Sequence, residues 1–154
     1  MLDKTEVVEI LNDLIQINND RIEGYKRAYN ETDESDYDLR TLYSNLSEHS
    51  QQHVSELSTE ISALGGEPTS GTTNSGKIYR AWMDVKAAFS SDDRKTSLEN
   101  SEFGEDVAQK AYETALKSDE LSPELIALIT KQKATLKSGH DTIKRLRDSE
   151  KAAH

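Results

Sequence analysis

"ISALGGEPTSGTTNSGKIYRAWMDVKAAF", Ile61 to Phe89, decides the fold. It begins as the end of an apolar-striped helix, and Gly65–Gly66 is a stop signal, because glycine takes the left-handed conformation that closes a helix. A Gly-, Ser- and Thr-rich linker follows. Then Ile78, Trp82, Val85 and Phe89 recur at helical spacing and predict a short amphipathic helix. A disordered hinge would leave Trp82 and Phe89 nothing to pack on. Residues from about 65 to 95 therefore read as a long crossover carrying its own helix.

On each side of it the chain reads as a helical hairpin. Val8, Leu11, Ile15, Asn18, Ile22, Tyr25 and Tyr29 alternate at three and four residues, one continuous helix face, with Asp3 or Thr5 placed to cap it. After the polar break "NETDESD", a second face runs through Leu39, Leu42, Tyr43, Leu46, Ser50, His53, Leu57, Ile61 and Leu64. A third helix, from about Ser97 to Lys117, aligns Leu98, Ser101, Glu105, Ala108, Tyr112 and Ala115, with Phe103, Val107 and Ala111 alongside. "SPEL" opens the fourth, Ser122 as N-cap and Pro123 at the first helical position. Its face is Leu125, Ile129, Gln132, Leu136, Gly139, Ile143 and Leu146, with His140 adjacent.

Two hairpins joined by a short loop would run up and down in turn. A connection of roughly thirty residues can travel a bundle's length at ~1.5 Å per helical residue, which predicts an all-α, ferritin-like four-helix bundle with a crossover between helices two and three. The 154 residues suit a single domain, 1–154.

Composition narrows the function. A formal net charge of −10 repels phosphate backbones, so no nucleic acid is expected as partner. With no cysteine there is no disulfide, thiolate catalysis or Cys-ligated metal. The N-terminus "MLDKTEVVEILNDL" lacks a basic region and a continuous apolar run, and no stretch approaches a membrane span, so the expected location is the cytoplasm, off the membrane.

Polar residues interrupt all four faces near mid-helix. With hairpin turns near Asp33–Glu34 and Leu121, Asn18 falls level with Ser50 and one turn from His53, Glu105 with Lys137, and Glu102 with His140. Di-metal carboxylate bundles place at this level a Glu from each of two helices and a Glu-x-x-His pair from each of the others. Here "SQQH" and "KSGH" keep His53 and His140 at the right spacing, but Ser50 and Lys137 stand where each glutamate belongs. The first helix offers Asn18 or Asn19, and the third Glu105 with Glu102 one turn away. Two adjacent dications need more negative charge than that, so no intact di-iron oxidase or ferroxidase site, and no cofactor, is expected. The alternative is a single iron, manganese or zinc ion held by His53, His140 and Glu105 or Glu102. Otherwise Asn18, Asn19, Ser50, Gln132 and Lys137 form a hydrogen-bonded layer that fixes the bundle's register. His49, four residues before His53, reads as a boundary residue, and His154 as a terminal one.

"LNDLIQINNDRIEGYKRA", "SELSTEISALGGEP", "GKIYRAWMDVKAAF", "ENSEFGEDVAQKAYETAL" and "HDTIKRLRD" together resemble a bacterial family of uncharacterised ferritin-like four-helix-bundle proteins, through nearly the whole chain. The resemblance implies the fold and no established reaction, hence no catalytic residue. It also implies a larger apolar residue at His53. The expectation is a structural or interaction role, stress-related by type, in a self-associating protein such as a dimer whose protein partner the sequence does not name. The rival is a metal-binding or redox relative; a second rival is an adaptor recruiting a partner through the crossover helix around Trp82.

Overall fold

The computed structural model describes residues 4–69, 76–83 and 94–152. All of its elements there are helices: α1 (Lys4–Glu31), α2 (Tyr37–Ala63), α3 (Lys77–Met83), α4 (Arg94–Leu116) and α5 (Pro123–Ala152). The four long helices form the bundle, and α3 lies within the connection between α2 and α4.

Each boundary has a local cause. At the end of α2, Gly65 adopts φ +81°, Gly65 N–H bonds to Ser62 O and Gly66 N–H to Ile61 O, both at 3.0 Å. This is the paired closure that glycine permits. Gly66 also sits against α1, where a Cβ would come within 2.9 Å of Val8. Ser122 Oγ accepts from Leu125 N–H at 3.2 Å and caps α5 as its sequence predicts. Helix α4 starts three residues earlier than the expected Ser97. Asp3, Val85, Phe89 and His154, all used in the sequence reading, lie outside the described residues.

Side-chain pairs fix the layout. Along α1, Asn18 meets Tyr112 and Arg21 meets Glu105, so α1 and α4 run antiparallel. Along α2, Gln132 reaches His53, while Gly139 lies so close to Leu46 that a Cβ would come within 2.7 Å of it, so α2 and α5 are antiparallel too. With α1 against α2 and α4 against α5, every neighbour is antiparallel and the diagonals α1/α5 and α2/α4 are parallel. The end of α2 and the start of α4 are thus at opposite ends of helices about 35–45 Å long. A long connection is obligatory.

Helix α3 packs on both α1 and α4. Trp82 is fully buried and donates from Nε1 to Asp20 at 3.0 Å; Tyr79 OH donates to the same carboxylate at 2.6 Å. Asp13, also on α1, accepts the N–H groups of Gly76 (2.9 Å) and Tyr79 (3.3 Å), acting as a cap supplied from another helix. Burial raises the Asp13 carboxyl above its usual range, against the pull of those N–H groups. Trp82 therefore anchors the crossover helix.

The faces of α2, α4 and α5 follow their sequence stripes; Leu42, Leu64 and Leu146 end half-buried and Phe103 is exposed. The α1 face does not follow. Val7, Leu11, Ile15, Asn18, Arg21, Tyr25 and Ala28 point inward, while Val8, Ile22 and Tyr29 are half-buried. The inward set keeps the same 3.5-residue average, but Val7, Arg21 and Ala28 take the places of Val8, Ile22 and Tyr29, each one residue earlier. Helix α1 is also covered by α3 on a further side, which explains its buried Asp13, Gln16 and Ile17.

Candidate functional site

Two polar centres result, one sealed in the bundle and one at the α4/α5 edge. The sealed centre is built on Arg21, 1% exposed, and Glu105, 0% exposed. Glu105 Oε1 accepts from Arg21 Nε at 3.0 Å, from Arg21 Nη2 at 2.5 Å and from Tyr25 OH; Arg21 Nη1 donates to Ser50 Oγ. Tyr25 stacks on Tyr43 with ring centroids 5.7 Å apart. Burial works to lower the Arg21 pKa, but the Glu105 carboxylate and Tyr25 more than offset it, so the guanidinium stays charged. Burial likewise pushes the Tyr25 hydroxyl far up, keeping it a neutral donor. Glu105 Oε2 and Ser101 Oγ, one turn apart and sealed, make no hydrogen bond among the described residues.

One turn along α1 the network continues. Asn18 donates to Leu14 O (2.8 Å) and Tyr112 OH (2.9 Å), and Tyr112 OH donates to Gln132 Oε1 (2.7 Å). Gln132 Nε2 donates to Glu56 Oε1 at 3.0 Å. Asn18 Oδ1 is left facing His53 Nδ1 at 3.1 Å, which fixes the tautomer with the proton on Nδ1. His53 Nε2 makes no hydrogen bond among the described residues, and His53 lines a surface pocket of about 220 Å³ with His49, Glu56 and Lys131. Burial, then the Arg21 charge and His49, lower the His53 pKa to about 3, so the ring is neutral at physiological pH.

At the edge, Glu102 and Asp106 of α4 meet His140 of α5, their donor atoms within 4.8 Å of one another. His140 Nε2 lies 2.7 Å from Asp106 Oδ1 and Nδ1 lies 3.2 Å from Asp141 Oδ1. Arg147 Nη1 holds Glu102 Oε1 at 2.7 Å and Oε2 at 2.6 Å.

These placements correct the sequence reading. The four proposed ligands split between the two centres: His53 and Glu105 inside, Glu102 and His140 at the edge, where Asp106 joins them. Among the described residues the Glu102–Asp106–His140 group is the one cluster of three such side chains. Asn18 is level with His53, and Ser50 with Arg21, because the pairing of α1 with α2 is centred later in the chain than a turn at Asp33–Glu34 would put it. Asn19 is half-buried and joins none of these bonds. Lys137 is 61% exposed and pairs with Asp141, one turn further along α5, at 2.9 Å. Arg21 was missed: beside an apolar stripe, a charged residue reads as a solvated flank. The signal lay in Glu105, a lone carboxylate on a core stripe that demands a buried counter-charge.

Chemically the sealed centre is committed. Glu105 serves a permanent cation, and a second cation beside it would meet the guanidinium's charge in a poorly solvated interior. Its sealed groups are one carboxylate, a neutral imidazole, two amides, the serines Ser50 and Ser101 and the hydroxyls of Tyr25 and Tyr112, with the Glu56 carboxylate at its outer end, which suits a hydrogen-bonded layer.

A family model described as a domain of unknown function (DUF2383) matches residues 6–118. The chain belongs to this family. The matched residues of this DUF2383 protein run through α1, α2, α3 and α4; α5, which contributes Gln132 and His140, lies beyond them. No curated protein matches the chain. Among the described residues no helix is long and apolar enough to cross a membrane.

Proposed function

We propose that this chain is a single-domain, ferritin-like bundle whose polar centre is a structural fixture, and that it serves as a structural or interaction module in the cytoplasm. The observation that supports this reading is the Arg21 guanidinium on Glu105 at 3.0 and 2.5 Å. At the depth where a di-metal bundle gathers four carboxylates around its ions, this chain has one sealed carboxylate, Glu105, and its own cation. Asn18, Ser50 and Gln132 are at the same depth. The donor set does not fit a pair of metal ions.

The experiment is oxygen consumption after adding ferrous iron to aerobic, untagged protein. The expected rate equals that of the protein-free buffer. Acceleration by the protein that is lost in Glu105→Gln and in His53→Ala would overturn the reading.

A further inference from the structure

We propose that Glu102, Asp106 and His140 form a binding site for one divalent transition-metal ion at the α4/α5 edge, with zinc the best match. The site is independent of the sealed centre, and its failure would leave the reading above intact.

The first support is geometric. The three donors lie within 4.8 Å of one another on two packed helices, Glu102 and Asp106 one turn apart on α4 and His140 facing them from α5. Zinc ligands at ~2.0–2.2 Å in a tetrahedron stand about 3.3–3.6 Å apart. Small side-chain rotations close the difference. Asp106 is 48% exposed, while His140 is 16% and Glu102 15% exposed, so the cluster has a rigid inner side and an open one. That leaves an entry path and room for water as a fourth ligand.

The second support is the hydrogen count on His140. Both ring nitrogens face carboxylate oxygens, Asp106 at 2.7 Å and Asp141 at 3.2 Å. A neutral imidazole has one N–H and can serve only one of them. A second proton or a metal ion must occupy the other contact. With Nδ1–H on Asp141, the Nε2 lone pair points at the Asp106 oxygen, and a dication between them joins two ligands where there would be repulsion. A carboxylate behind the distal nitrogen is the outer-shell arrangement that orients a metal-bound histidine. Arg147 holds Glu102, and Lys137 holds Asp141, from outside the three donors. One nitrogen with two carboxylates suits zinc; magnesium and calcium favour all-oxygen shells.

The test is calorimetric titration of untagged, chelator-stripped full chain with zinc chloride, on wild type, Asp106→Asn, His140→Ala and His49→Ala. The proposal expects one ion per chain, an affinity at least about tenfold weaker in Asp106→Asn, no saturable binding in His140→Ala, and no change in His49→Ala. Asp106→Asn, a near-isosteric change at a half-exposed position, keeps the test decisive if His140→Ala folds poorly. No binding to wild type overturns the proposal. So does equal binding by wild type, Asp106→Asn and His140→Ala, which would mark an adventitious ion only.

Discussion

Glu102 and Glu105 stand three residues apart on one helix, and their surroundings give them opposite uses. Glu105 is sealed and bound by a guanidinium that never loses its charge; Glu102 is at the edge, with Asp106 and His140 beside it and water within reach. The same side chain is a register pin in one place and a candidate ligand in the other. Both carry an arginine counter-charge, Arg21 and Arg147; what separates them is how much solvent can share it.

The largest test of that contrast removes Arg21. Arg21→Met strands Glu105 in the interior, and a loss of about 3–5 kcal/mol is expected, a large share of a small domain's stability. Urea denaturation followed by circular dichroism reads it. Pairing the change with Glu105→Leu should restore more than half, because an apolar pair replaces two buried charges at little net cost. A double variant as unstable as the single one would mean that Tyr25 and Ser50 lose more than the charges gain.

Next comes the neutral histidine. His53 stays unprotonated when folded down to about pH 3, whereas the unfolded chain takes up that proton near 6.5. Between those values the unfolded state binds more protons, so stability falls as pH drops, by about 1.4 kcal/mol per unit once inside the window. His53→Gln keeps a side-chain donor and does not titrate. The difference in denaturation free energy between it and wild type, measured from pH 7 to pH 4, should shrink steadily toward acid. A constant difference would show that the ring already reaches water through its pocket.

A smaller effect is expected where burial is local. Asp13→Ala removes the acceptor for the first N–H groups of α3 and should cost about 1–2 kcal/mol. Amide exchange should accelerate at Tyr79 and its neighbours while the Arg21 layer stays protected. The smallest is Ser101→Ala, which deletes a sealed hydroxyl with no partner among the described residues. The expected change is between zero and about 1 kcal/mol of added stability. A clear loss would reveal that Ser101 serves Glu105.

The crossover, both hairpin turns, the Ser122 cap and three of four core faces were legible because each is written in spacing or in the chemistry of one residue. The layer's depth was legible as well, since Asn18, Ser50, His53, Glu105 and Gln132 all interrupt apolar runs. Its bonding was not. Whether Arg21 or Ile22 faces inward depends on the rotation of α1 about its own axis, and on α3 covering α1 from behind. Level estimates brought Glu102 to His140 correctly. They could not say that Asp106 would complete the group, because that requires the rotation of α4 about its own axis.

The antiparallel pairing of α1 with α4 has a kinetic side. These helices belong to different hairpins, and apolar ridges alone would let one slide along the other by a turn, about 5.4 Å. Such a slip sets Arg21 against Ser101 or Ala108 and leaves two charges in the dark without each other. The ion pair works as a vernier: it grips at one setting, and every neighbouring setting is pushed out of the competition before side chains lock.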